Sequence, residues 1–275
     1  MKPKVIVLTG HGVNSEEETA YGFNLAGAEA EIVHINDLID HKKNLADYQI
    51  MAFPGGFAHA DDTGSGNAYA NKMKSNIWDD VLKFLTEDKL VIGICNGCQI
   101  MANLGLVPAL DGKYGERSLA LMHNATAHYE CRWIDMKTVS KKCVWTNGIQ
   151  SLHCPVSHGE GRFFADQKVL DQMIANDQIV LTYVKPDGSP ANGEMPFNPN
   201  GAVMDIAAVC DPTGRVLGIM PHPERNWIIY NQNDWTMLKE KALREGKTLD
   251  EKGPGMQIFE NAVNYFIGQL TQIPE

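Results

Sequence analysis

Short, largely apolar runs punctuate the first third of the chain: Val5–Leu8, Ile32–Ile35, Ile50–Phe53 and Leu90–Ile94. A half-buried strand alternates apolar with polar residues, whereas runs of this kind suit strands covered on both faces of a parallel sheet. Helical stretches lie between them. Ser15-Glu16-Glu17-Glu18 reads as an N-cap serine with a glutamate at the third helical position. Asn67–Thr86 and Asn96–Leu104 are two further helices. Strands alternating with helices predict an α/β, doubly wound sheet.

The pattern changes between Ser118 and Val184. Arg132–Val139 and Ile179–Val184 are β-branched or alternating, and are expected to be antiparallel strands folded over the edge of the same sheet. Ala202–Val209 and Val216–Met220 form a hairpin through the turn Asp211-Pro212-Thr213-Gly214. Near the C-terminus, Phe259, Ala262, Val263, Phe266, Ile267 and Leu270 share one helical face and are expected to pack on the core. Asn226–Gly255 interrupts two core elements with a polar, then charged stretch. It is expected to be a surface excursion of one domain spanning 1–275. Its Trp227, Tyr230 and Trp235 are of a type enriched at interfaces.

Composition narrows the class without naming the chemistry. The chain has 275 residues, is 44% apolar and 21% charged, and carries a formal charge of −10. Its basic residues are scattered, which argues against a nucleic-acid partner. No run approaches the roughly 18 apolar residues of a membrane span. The start, Met1–Gly10, lacks the apolar length and cleavage site of a signal peptide. A cytoplasmic setting is expected, with the six cysteines as reduced thiols.

One segment joins pattern to chemistry. Leu90-Val-Ile-Gly-Ile-Cys95-Asn-Gly-Cys-Gln99 is a buried strand running through Gly93-x-Cys95-x-Gly97 into a helix. This is the thiol form of a nucleophile elbow. The glycines let strand and helix close tightly around a strained turn. The thiol then stands at a helix N-terminus, whose partial positive charge favours thiolate, and the amide of Asn96 is available to an oxyanion. Two other readings remain: a merely buried thiol, and a Cys95-x-x-Cys98 redox pair. The chain lacks the element order of thioredoxin-like folds, and Cys98 reads as a buried helix residue.

A cysteine nucleophile needs a base, and the base an orienting group. Pro221-His222-Pro223-Glu224-Arg225 follows directly on the strand Val216–Met220, where α/β sites gather. The two prolines favour extended backbone, in which His222 and Glu224 point the same way. Phe53-Pro54-Gly55-Gly56-Phe57, after the strand Ile50–Phe53, is a candidate oxyanion loop.

These elements, with Asn24-Leu-Ala-Gly-Ala-Glu29, Pro155-Val-Ser-His-Gly-Glu-Gly-Arg162 and Asn198-Pro-Asn-Gly201, resemble the class I (triad) glutamine amidotransferases. Within that class they are most similar to the glutaminase components of purine biosynthesis. The resemblance covers nearly the whole chain; Cys-Asn-Gly-x-Gln and His-Gly-Glu-Gly-Arg discriminate most. It implies a flavodoxin-like fold, a mostly parallel sheet with an added antiparallel section. It implies Cys95, His222 and Glu224 as catalytic triad, with Gly56 and Asn96 as oxyanion hole. Gly55, Phe57, Gln99, Ser157, His158 and Gly159 are implied to bind L-glutamine, and no metal is expected. The expected partners are a large synthetase subunit, which carries ATP and Mg and amidates formylglycinamide ribonucleotide, and a small third subunit. No cofactor is expected in this chain. Ala60-Asp61-Asp62-Thr63-Gly64-Ser65-Gly66 departs from the family's usual Gly-Asp-Tyr-Leu-Arg-Ala-Gly, and Ser15 stands where a cysteine is frequent. An amidotransferase for another acceptor is the near alternative. Stress proteins and peptidases of this fold place a histidine beside the elbow cysteine, where this chain has Asn96.

Overall fold

A computed structural model describes residues 2–268. Eleven strands form: β1 Lys4–Thr9, β2 Glu29–His34, β3 Ile50–Phe53, β4 Leu90–Ile94, β5 Ala120–Met122, β6 Glu130–Thr138, β7 Ser151–His158, β8 Arg162–Phe164, β9 Ile179–Val184, β10 Ile206–Cys210 and β11 Val216–Ile219. Eight helices accompany them: α1 Glu16–Leu25, α2 Ile35–Ile39, α3 Asn67–Asn76, α4 Trp78–Thr86, α5 Asn96–Leu104, α6 Gln167–Ala175, α7 Trp235–Arg244 and α8 Met256–Ile267.

Nine strands make one sheet in the order β2-β1-β3-β4-β11-β10-β9-β6-β7. The pairs from β2 to β11 are parallel, and those from β11 to β7 are antiparallel. β5 and β8 form a separate antiparallel pair. β3 and β4 are buried at every position, as expected of strands covered on both faces. Phe23 of α1 meets Phe259 of α8 edge-on at 4.9 Å, which ties the last helix to the first.

The structure differs from the sequence pattern in several places. The stretch 67–86 is two helices, broken at Ile77 (φ −135°). The Ile77 amide still donates to the Met73 carbonyl at 2.9 Å and closes the first helix, and the Asn76 side-chain amide donates to the Lys72 carbonyl at 2.7 Å in its last turn. Ile35 opens α2 instead of closing β2, because the His34 ring accepts the Asn36 amide and caps the helix. Ser15 stands at the N-cap of α1 without a side-chain capping bond; its hydroxyl meets Asn14 and Arg225 instead. The antiparallel strands extend the sheet side by side and do not fold over its edge. Residues 203–205 form a short 3-10 turn before β10. Leu270 lies outside the described residues.

Between Asn226 and Gly255, α7 has no buried residue. Trp227 packs on Tyr21 at 4.8 Å, and Tyr230 meets Trp235 edge-on. Among the described residues, no helix is long and apolar enough to cross a membrane.

Candidate active site

Four chain segments meet at the C-terminal ends of the parallel strands, where ligands bind in open α/β sheets. The first is the β4–α5 turn. Cys95 has φ 51° and ψ −107°, a conformation strained for a residue with a Cβ. Gly93 and Gly97 make that turn possible: a Cβ at Gly97 would overlap the Phe53 carbonyl, and one at Gly93 would overlap Met101 and Gly97. The thiol is 5% exposed and donates to the Ser157 carbonyl at 3.6 Å. It stands at the N-terminus of α5, and the first-turn amide of Asn96 has no intrahelical acceptor.

The second segment is 53–66. Its Gly56, with φ 149°, is pressed on residues 12–14, and the Phe57 amide donates to the Gly12 carbonyl at 2.7 Å. The buried Asn96 side chain fastens this loop to the elbow: Oδ1 accepts the Ala58 amide at 2.9 Å, and Nδ2 donates to Asp61 at 3.1 Å and to Gln99 at 2.8 Å. Burial, opposed by hydrogen bonds from Gly66, Asn96 and Ser65, leaves the Asp61 pKa above its ordinary value, and Glu160 adds to the rise.

The third segment follows β11. His222 and Glu224 are 2% and 0% exposed. His222 Nδ1 donates to Glu224 Oε1 at 2.6 Å. The backbone between them is a 3-10 turn over Pro223–Arg225, not the extended segment that the flanking prolines suggested. Proline suits the first position of such a turn, and the two side chains converge across it. The His222 amide donates to the Pro155 carbonyl at 2.9 Å, which docks the turn on the free edge of β7. His222 Nε2 is buried with no oxygen or nitrogen partner among the described residues; the Cys95 sulfur is its neighbour. Burial alone would lower the His222 pKa, but the Glu224 carboxylate and Cys95 outweigh it and raise it to about 10.

The fourth segment is 157–161. Together with the elbow and Gly56–Phe57 it encloses a cavity of about 230 Å³ lined by Cys95, Gln99, Ser157, His158 and Gly159. The structure thus brings Gly56, Phe57, Gln99, Ser157, His158 and Gly159 to the cavity that holds Cys95. Gly55 lies behind it, against the His222 ring. Gln99 faces the cavity with its amide already engaged: Oε1 accepts from Asn96, and Nε2 donates to the Glu160 carbonyl at 2.7 Å.

Four further residues line the same cavity: Asp61, Ser65, Tyr129 and Glu160. Tyr129 bonds the Ser157 hydroxyl at 2.7 Å and, paired with Phe57 at 6.3 Å, forms a lip at the mouth. Asp61 and Glu160 sit inside segments already notable in sequence, the loop 60–66 and the His-Gly-Glu-Gly-Arg run. Tyr129 carried no such signal; it directly precedes β6. Cys98 is fully buried with its thiol over Gly218, and burial pushes its pKa far up. It is a core residue of α5. Among the described residues no cluster of ligating side chains suits a metal ion.

A thiol on a strained elbow, an imidazole and a buried carboxylate thus meet on a flavodoxin-like sheet, a combination suited to cysteine-dependent acyl transfer. The family model described as a CobB/CobQ-like glutamine amidotransferase domain matches residues 2–266. The phosphoribosylformylglycinamidine synthase subunit PurQ of Methanococcus maripaludis is 52% identical over 265 residues, covering 96% of this chain and 97% of that one. The PurQ subunit of Treponema denticola is 44% identical over 88% of this chain and 94% of its own. In structure, the chain is similar to PurLQS from Thermotoga maritima, with a TM-score of 0.70, 25% identity, and 97% and 100% of the two chains covered. The chain belongs to the glutamine amidotransferase family, on its PurQ branch.

Proposed function

We propose that the chain is the glutaminase subunit of a phosphoribosylformylglycinamidine synthase, and that Cys95, His222 and Glu224 are its catalytic triad. The observation that carries the assignment of residues is the buried Nδ1–Glu224 bond, which leaves His222 Nε2 turned to the elbow thiol.

The Cys95 thiolate attacks the side-chain amide carbon of L-glutamine. The amides of Gly56 and Asn96 stabilise the oxyanion of the tetrahedral adduct. The C–N bond breaks as His222 gives its proton to the leaving nitrogen, and ammonia departs from a thioester. Neutral His222 then takes a proton from water, whose oxygen attacks the thioester; glutamate leaves and the thiolate is restored. Glutamine plus water becomes glutamate plus ammonia. Glu224 holds the imidazole and stabilises its charged form. Gly55, Phe57, Gln99, Ser157, His158 and Gly159 shape the glutamine pocket. Gln99, with its amide engaged, contributes as a fixed wall.

In this reading ammonia passes to a large PurL-like synthetase subunit, which uses ATP and Mg to convert formylglycinamide ribonucleotide to formylglycinamidine ribonucleotide. A small PurS-like subunit joins the complex. This chain acts as one cytoplasmic domain over 1–275 and carries no cofactor of its own.

The test is labelling by a glutamine-mimicking diazoketone. Mass spectrometry should find the label on Cys95, and Cys95→Ala should lose glutaminase activity. A label elsewhere, or an active Cys95→Ala enzyme, overturns the assignment. Activity should rise when a PurL-like subunit is added.

A further inference from the structure

His158 lies under the cavity floor, 2% exposed, and both of its ring nitrogens face an asparagine. Asn124 Oδ1 lies 3.2 Å from Nδ1, and Asn200 Nδ2 lies 3.5 Å from Nε2. The orientation of each amide is fixed by main-chain groups that cannot exchange roles. Asn124 Nδ2 donates to the carbonyls of His158 at 2.8 Å and His128 at 2.9 Å, while its Oδ1 accepts the Gly161 amide at 3.0 Å. Asn200 Oδ1 accepts the Ala202 amide at 2.9 Å, and its Nδ2 donates to the Gly161 carbonyl at 2.9 Å. Asn124 therefore offers Nδ1 an acceptor, and Asn200 turns toward Nε2 only its NH2 group, which Nε2 shares with the Gly161 carbonyl and the Tyr183 hydroxyl. A proton on Nε2 would face that NH2 donor to donor, so the ring that fits carries its proton on Nδ1 and a lone pair on Nε2.

We propose that Asn124 and Asn200 are positioning residues of this site: they lock His158 as the neutral Nδ1–H tautomer, leaving the positive charge beside Cys95 to His222 alone. A second imidazolium in the same buried region would repel the first. The ring is also held in place, because the loop folds over it so closely that a Cβ at Gly161 would overlap the imidazole. The titratable and charged groups around it are few. His222 and the cavity-lining Cys95 and Glu160 lie on one side. Tyr183 stands behind Asn200 and its hydroxyl accepts from Asn200 Nδ2 at 3.2 Å. Glu130, opposite His158 on β6, is engaged by Arg132. Burial and the charge of His222 push the His158 pKa down to about 3, in keeping with the bonding. The inference concerns the charge state of the triad and rests on the assignment of His222 above.

Nitrogen NMR of the full chain with labelled histidine tests it. The His158 signal, identified by its loss in His158→Gln, should show a protonated Nδ1 and a bare Nε2 unchanged from pH 5 to pH 9. Titration within that range, or a proton on Nε2, overturns the proposal, and this reading is made on the natural sequence. Asn200→Asp places an acceptor at Nε2 and should turn His158 into an imidazolium. The His222 titration midpoint should then fall by about one pH unit, and the pH profile of Cys95 alkylation by iodoacetamide should move with it. A charged His158 that leaves both unchanged also overturns the proposal. Diazoketone labelling of the natural chain separates the two readings: lost labelling sinks the triad assignment, whereas a titrating His158 beside a labelled Cys95 sinks only the lock.

Discussion

His222 Nδ1 and Glu224 Oε1 are 2.6 Å apart across a 3-10 turn, and neither residue reaches solvent. The second carboxylate oxygen, Oε2, has no hydrogen-bond partner among the described residues. The pair is thus a single buried contact that determines both where the imidazole points and how tightly it holds a proton.

That contact gives stability a definite pH dependence. His222 has an ordinary pKa of 6.5 and about 10 in the fold. A raised folded pKa means that the folded chain binds the proton more tightly than the unfolded one. The stabilisation is complete below pH 6.5 and is lost as pH rises through about 10. The urea midpoint should therefore fall between pH 6.5 and pH 10, and His222→Gln should flatten that fall. Equal slopes in the two proteins would contradict the assignment.

Removing the two partners should have unequal consequences for catalysis. If His222 carries the proton as proposed, His222→Ala should abolish glutamine hydrolysis. Glu224→Gln keeps a group that can still orient the ring but removes the charge, so a residual rate about 10²–10⁴-fold below the natural one is expected. Steady-state kinetics with the synthetase subunit present would show this difference. Complete loss in both would show that the oriented ring cannot act at all without the Glu224 charge.

The elbow can be tested through packing. A methyl at residue 97 has nowhere to go but into the Phe53 carbonyl, which is backbone. Gly97→Ala should destabilise the fold by about 1–3 kcal/mol and displace Cys95, read as a lowered denaturation midpoint and slower alkylation. A neutral effect on both would show that the β4–α5 turn is looser than its geometry implies.

The elbow was legible in sequence because its chemistry and its packing use the same residues. Two glycines, a cysteine and an apolar run specify strand, turn and helix within ten positions, and β3, β4, β9 and α5 have the expected bounds. Features set by one side chain's hydrogen bond were not legible. The break of 67–86 at Ile77 and the His34 ring that opens α2 leave no periodic trace. The prolines around His222 correctly marked a constrained backbone but suggested the wrong conformation, since proline at 223 suits a 3-10 turn as well as a strand. Tyr129 reaches the cavity only because β6 pairs with β7 in the observed register, a long-range fact.

Asn96 joins three parts of the site, so its loss should be felt in all of them. Asn96→Ala leaves the Ala58 amide without its acceptor and removes one hydrogen bond from each of Asp61 and Gln99. A buried donor left unsatisfied costs about 1–3 kcal/mol. The variant should show that loss in urea unfolding and bind glutamine more weakly, because the Gly56–Phe57 loop is no longer tied to the elbow. An unchanged KM would separate the loop from substrate binding.

The excursion 226–255 should be inert at its tip and sensitive at its base. At the tip, Met237 and Leu243 are 63% and 61% exposed, so Met237→Ser and Leu243→Ser should change stability by less than about 0.5 kcal/mol. At the base the two ends are pinned together behind the His222–Glu224 turn. The Gly255 amide donates to the Asn226 carbonyl at 2.9 Å and the Gly253 amide to that of Trp227 at 3.0 Å. Asn226 in turn donates to the Pro223 carbonyl through its amide, and to His153 of β7 through its side chain at 2.6 Å. A Cβ at residue 255 would overlap the Pro223 carbonyl and crowd that of Asn226. Pro223 belongs to the turn that presents Glu224, so the displacement passes directly to the His222–Glu224 contact. A misplacement near 1 Å at a catalytic group can cost about 100-fold in rate. Gly255→Ala should therefore lose glutaminase activity of that order while the two serine variants keep theirs. An active Gly255→Ala enzyme would show that the base of the excursion can shift without moving the triad.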